Sequence, residues 1–335
     1  MKKMFAHVRL SKAQKIGYPL GILIAIVLPL LFQGTFSRHV LCLILIWSIL
    51  GMGWNFIGGY AGQVSIGHSV FYGIGAYTSA LLFMWFNITP WIGMWVGMAI
   101  SVFVAFCIGR PLLRLKGHYF AVATMAVAEC CRVIFVNWKT VGGATGLDFL
   151  NKNVSMWYSM QFQDKLQYYY VFLVFAVVVL GIVIYFDRSK FGYYLRTIKG
   201  NENAAESVGI DTTRYKLIAY MLSAAIVSIG GSLYAQYMVY IDPTMLMVLK
   251  ISLMICLVTV MGGIGTVIGP IIGAVVLTFI SEYSRMLMGG TGTGIDQIIY
   301  GALVIIVVLY IPNGIVSLFK KRPKKQLKKG EEKAV

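Results

Sequence analysis

Charge is what this sequence has least of. Only 12% of its 335 residues are charged, and acidic residues are scarcer still, with 12 Asp and Glu against 29 Lys and Arg. A soluble domain of this size needs a polar surface, and this chain has too little polar material to build one. Metal-ligand clusters are missing as well. His7, His39, His68 and His118 are scattered, and Cys42, Cys107, Cys130, Cys131 and Cys256 fall inside apolar blocks without ligand spacing. These cysteines are expected to be small buried hydrophobes. The dispersed histidines also argue against a lipid-modifying enzyme, which would need a Ser/His or His/acid cluster. A phosphate-binding loop requires Gly-x-x-x-x-Gly-Lys-Ser/Thr. Here only Lys139 is followed by Ser or Thr, and Trp138 precedes it. No nucleotide site or other cofactor is therefore expected in this chain.

What is present is oil. The chain is 59% hydrophobic with a mean hydropathy of +0.78, and its apolar residues come in long blocks. About 20 such residues cross the roughly 30 Å of a bilayer's hydrocarbon. The blocks predict spans at 17–36, 39–57, 69–86, 91–110, 119–138, 168–186, 215–237, 248–263, 267–287 and 297–318. The expected fold is an all-α polytopic integral membrane helix bundle of about ten transmembrane helices, within a range of eight to eleven. Residues 1–16 form a basic N-terminal tail, 17–318 the membrane domain, and 319–335 a basic C-terminal tail. The basic start and apolar run resemble a signal peptide, but the run is long and no small-residue cleavage site follows it. It is expected to be retained as the first span.

Lys and Arg set the orientation. The N-terminal tail, the segment after the fourth span, the loop after the sixth and the C-terminal tail, counted with Arg110 and Lys216 at the adjoining span ends, hold 22 of the 29 basic residues. An even number of spans puts all four on one side, predicted to be the cytoplasm, with both termini there. The net charge of +17 then suits anionic headgroups. Nucleic acid is not an expected partner, because the basic tail lacks interleaved aromatics. Two loops are long enough to matter, an external one at 139–167 and a cytoplasmic one at 187–214. Neither is long enough for a catalytic domain.

Two segments share a glycine pattern. Gly58-Gly59-Tyr60-Ala61-Gly62-Gln63-Val64-Ser65-Ile66-Gly67-His68 and Gly262-Gly263-Ile264-Gly265-Thr266-Val267-Ile268-Gly269-Pro270 each open on a glycine pair and lead into a fresh span. Interrupted helices in the two halves of a transporter point to an internal repeat and a central pathway. Two readings stay open: tight turns and glycine-mediated packing, or pathway lining by Gly59, Gly62, Gln63, Ser65, Gly67, His68, Gly262, Gly263, Gly265 and Thr266. Glu129 and Arg132 lie three apart in the fifth span, so they share a helix face and can pair. An intramembrane ion pair is expected to face the bundle interior, where Glu129 would serve the pathway or fix helix packing. Glu282 and Arg285 repeat the spacing near the end of the ninth span.

The run Gly200-Asn201-Glu202-Asn203-Ala204-Ala205-Glu206-Ser207-Val208-Gly209-Ile210 predicts a short helix in the basic loop. Asn201 is its cap, Gly209 its stop, and Asp211 opens the next span. Ala204 and Val208 share a face, and small outward residues suit a groove on a partner. An ordinary capped loop is the competing reading.

Asn203-Ala204-Ala205-x-x-x-Gly209 resembles the "EAA" coupling motif of bacterial ABC importer permeases, although Asn203 stands where that motif has an acid. Gly59-Tyr60-Ala61-Gly62-Gln63-Val64-Ser65-Ile66-Gly67-His68, Gly117-His118-Tyr119-Phe120-Ala121, Gly142-Gly143-Ala144-Thr145-Gly146-Leu147 and Met261-Gly262-Gly263-Ile264-Gly265-Thr266 follow in order. Together they resemble the branched-chain amino acid permease family, in its longer M-type form, over about residues 40–315. The resemblance implies a subunit of the bacterial inner membrane that pairs with an H-type sister permease. Two cytoplasmic ATPases would supply ATP hydrolysis, and a soluble binding protein would deliver the amino acid. Ala204, Ala205 and Gly209 would carry the ATPase contact, with Glu202 and Glu206 beside them. Related subunits serve urea and short-chain amides, which is one alternative; an ion-coupled secondary transporter is another.

Overall fold

The computed structural model describes residues 12–32, 34–115, 117–150, 154–287, 301–302, 305 and 314–319. Its α-helices in chain order are α1 (Lys12–Leu31), α2 (Thr35–Trp54), α3 (Ser69–Phe86), α4 (Pro90–Leu112), α5 (His118–Asn137), α6 (Met156–Ser159), α7 (Lys165–Arg188), α8 (Lys190–Gly200), α9 (Glu202–Ser207), α10 (Thr212–Met238), α11 (Pro243–Leu246), α12 (Leu249–Gly262) and α13 (Gly269–Leu287), with a further short helix described at Val316–Phe319. Among the described residues, seven stretches are long and apolar enough to cross a bilayer, from Thr35–Tyr60 through Pro243–Gly262. The chain is an all-α, multi-pass membrane protein. Helices occupy the first nine expected spans, and the tenth, at 297–318, falls largely outside the described residues. α1 starts at Lys12, inside the segment expected to be tail.

α10 is the central post, packed against α2, α3 and α4. Lipid tails are as apolar as leucine, so helices in a membrane associate through close packing and hydrogen bonds more than through hydrophobicity. The seam between α3 and α10 follows that rule. Gly75 lies against Ser228, and Gly231 against the Tyr72 backbone. The Ser232 hydroxyl donates to the Gly75 carbonyl at 2.8 Å, and the Gln236 amide donates to Ser79 Oγ at 3.2 Å. α4 completes this block, with Gly93 on Ser79 and Gly97 on Gly75.

Basic loops gather at one end of the bundle. At the other end the long loop after α5 is tied down. Strand β1 (Leu147–Asp148) pairs antiparallel with β2 (Tyr240–Ile241), and the Tyr240 hydroxyl donates to the Thr145 carbonyl at 3.0 Å. Trp91 Nε1 on α4 donates to the Trp157 carbonyl at 2.8 Å. Not every cysteine is buried as expected: Cys42 is, but Cys107 and Cys130 sit on outward helix faces.

Candidate functional site

Both glycine knots break their helices, and the structure brings the breaks together. α2 widens into a π-helical turn at Asn55–Tyr60 and then stops. Gly62 turns the chain with φ +74°, a left-handed conformation that favours glycine. Residues 62–67 run without helix or strand until α3 starts at Ser69. The second knot separates α12 from α13. One side chain joins them: Asn55 Nδ2 donates to the Thr266 carbonyl at 2.9 Å, and its Oδ1 accepts from the Gly265 N–H at 2.9 Å. Asn55 is fully buried, and so is Gly59, where a Cβ would drive into the Asn55 amide. Thr266 is spent locally; its hydroxyl donates to the Gly263 carbonyl at 2.8 Å and accepts from the Gly269 N–H at 3.1 Å, opening α13. Gly262 and Gly263 are buried beside it.

The first break lies deep in the bundle. His68 Nε2 meets Ser223 Oγ at 2.7 Å. Ser223 is about 16 Å along α10, whose 27 residues span about 40 Å. Thus α3 starts near mid-depth, where irregular backbone persists only when protein or water satisfies it. Protein supplies much of what is needed. Trp54 Nε1 donates to the Ser65 carbonyl at 2.8 Å, the Ile66 N–H donates to Thr124 Oγ1 at 3.0 Å, and the Ser69 N–H donates to Ser252 Oγ at 2.8 Å. Gly67 presses against the Thr124 backbone. Ser65, Gly67 and His68 are buried, Gln63 is half-buried, and Gly62 and Val64 are exposed.

Glu129 departs from expectation. The pair with Arg132 forms, with Arg132 Nε donating to both carboxylate oxygens at 3.1 and 3.0 Å. It does not face the interior, because the Glu129 side chain is 53% exposed on the outer side of α5. α5 packs inward through Phe120, Thr124 and Ala128, and that register turns Glu129 out. It is therefore no part of the joined knots. Glu282 also pairs with Arg285, at 3.4 Å.

The basic loop reaches the knots. The Lys199 ammonium on α8 donates to the Gly59 carbonyl at 2.8 Å, and burial holds its pKa below the ordinary lysine range. The Arg196 guanidinium lies 5.6 Å over the Tyr60 ring. α9 follows, capped where the sequence indicates. The Asn201 side chain accepts from the Ala204 N–H at 3.1 Å, Gly209 ends the helix with φ +84°, and Asp211 accepts from the Arg214 N–H at 2.9 Å. Its faces differ. Inward, Ala205 is fully buried. Glu202 meets the buried Lys216 ammonium at 2.5 Å, and Glu206 accepts from the Thr212 hydroxyl at 2.6 Å. Outward, Ala204, Ser207, Val208 and Gly209 are exposed. The two alanines thus part company: Ala204 is available to a partner, and Ala205 anchors the loop. Asn55, Lys199 and Lys216 were not singled out from sequence. Lys216 carried a signal, being a lysine in the opening turns of a span whose preceding loop holds Glu202, Glu206 and Asp211.

Interrupted helices that meet inside a polytopic bundle, with a polar loop bound to the break, define a membrane transport permease. The family described as branched-chain amino acid transport system / permease component matches residues 38–308, and the chain belongs to that family. It is 27% identical to the high-affinity branched-chain amino acid transport system permease protein LivM of Salmonella typhimurium, over 89% of this chain and 73% of that protein. It is 22% identical to LivH of Escherichia coli, over 81% of this chain and 91% of the relative. A probable LivM of Methanocaldococcus jannaschii is 22% identical over 84% and 94%. No solved structure matches.

Proposed function

We propose that this chain is the M-type membrane subunit of an ATP-driven importer of branched-chain amino acids. Its partners are an H-type sister permease, two cytoplasmic ATPases and a soluble binding protein at the opposite end. ATP is bound and hydrolysed by the ATPases. The basic end and both termini face the cytoplasm of the bacterial inner membrane, as the Lys and Arg distribution favours.

The observation that carries the reading is the fastening of α9. Its outward surface of Ala204 and Val208 is small and bare, a shape suited to a groove. Its inward surface is bound to α10 through Glu202–Lys216 and Glu206–Thr212. Force applied to α9 therefore passes into the central helix. Through α8 and Lys199 it also reaches the broken end of α2. The ATPases shift the permease between outward- and inward-facing states only if they bind those states with different free energies. The joined knots, with Gly62 against Lys199, Gln63 half-buried and Val64 exposed, are the part of the pathway wall these connections would move.

Reconstitution tests this. Proteoliposomes holding both permeases and both ATPases, with binding protein added, take up labelled leucine only with ATP. The chain alone, under an ion gradient, takes up none. Gradient-driven uptake by the isolated chain would overturn the reading.

A further inference from the structure

The outward faces of this bundle are of two kinds. α4 presents Ile92, Val96, Ile100 and Phe103, and α7 presents Val174 and Val178. These are lipid surfaces by composition. The outward face of α5 begins in the same way with Tyr119, Val122 and Ala126, then places Glu129 and Arg132 near mid-helix. Glu129 lies about 7 Å, and Arg132 about 12 Å, beyond Thr124, which itself binds the irregular run before α3, so the pair sits one to two helical turns past the break, near the middle of α5. α12 packs beside α5 and adds a third charge. Its exposed Lys250 lies two residues from Ser252, the residue that accepts the first N–H of α3. Val64, also exposed, belongs to the non-helical run that lies along α5.

Ionisable side chains within a membrane face protein or water, not hydrocarbon, and so does irregular backbone. Three charges and an exposed irregular segment on one flank, against apolar faces on α4 and α7, single that flank out. We propose that the α5 face bearing Glu129 and Arg132, together with Lys250 of α12, is the seam against the sister permease and encloses the pathway between the two subunits. The occupant is a second, non-identical permease that offers polar or charged side chains at mid-depth. The assignment rests on the heteromeric reading above and adds to it which surface meets the partner.

A photo-reactive amino acid placed at exposed positions tests it in membranes that contain the whole transporter. Ala126 and Val133 probe α5, and Ile100 and Phe103 probe α4; each variant is first shown to retain uptake. The expected result is an adduct with the sister permease from the α5 positions and no protein adduct from α4. An adduct with the sister permease from α4 but not α5 overturns the seam. So does an adduct only with another copy of this chain, and so does co-purification of the sister permease without any α5 adduct. Failure of the sister permease to co-purify at all defeats the heteromeric reading and the seam with it.

Discussion

The two sides of α9 show opposite chemistry within six residues. The inward side holds a buried lysine against a glutamate, a hydroxyl against a second glutamate, and an alanine with no exposed surface. The outward side holds Ala204, Ser207, whose hydroxyl donates to its own helix, and a Val208 that is 72% exposed. A helix this short does not hold itself together in water. The inward contacts keep it folded and aimed, so the outward side is free to be small and featureless. The difference separates what fixes the loop from what a partner reads.

The comparison breaks if removing an inward contact leaves the loop unchanged. Lys216→Ala has the largest expected effect. Losing one partner of a buried ion pair costs roughly 3–5 kcal/mol, and here it should fall at the low end because the Glu202 carboxylate keeps some solvent. Hydrogen exchange at the α9 amides should quicken about a hundredfold while α3 and α10 stay protected. Unchanged exchange would show that α9 is held by something else. Asn55→Ala extends the test to the other internal joint. It leaves the Gly265 N–H and Thr266 carbonyl without their partner, at a cost of about 1–3 kcal/mol. Thermal unfolding in nanodiscs should show a lowered midpoint. The smallest change in stability belongs to the outward side. Val208→Glu should stay within about 0.5 kcal/mol of the parent, as exposed substitutions do. It should nonetheless release the ATPases on co-purification and stop uptake. Retained association would remove Val208 from the docking surface.

Much of this was legible in the chain. Helix positions followed from hydropathy, because a span needs a long apolar run wherever it sits. The caps of α9 and α10 were legible because capping is local: Asn201, Gly209 and Asp211 act within a few residues. The direction of Glu129 was not. In a membrane protein the interior and the lipid surface are both apolar, so apolar spacing along α5 does not say which face turns inward. Nor was the junction between the knots. Asn55 and Gly265 are distant in sequence, and a lone asparagine at the end of a span carries no mark of a partner that far away. Lys216 was read as one more basic residue at the membrane edge. Its burial follows from where Glu202 comes to lie once the loop folds back.

The Asn55 amide has one further consequence. By donating to the Thr266 carbonyl and accepting from the adjacent Gly265 N–H, it rivets the lower end of α2 to the corner between α12 and α13. α2, α12 and α13 are thereby joined at one buried corner, so a load on any one of them is shared with the other two.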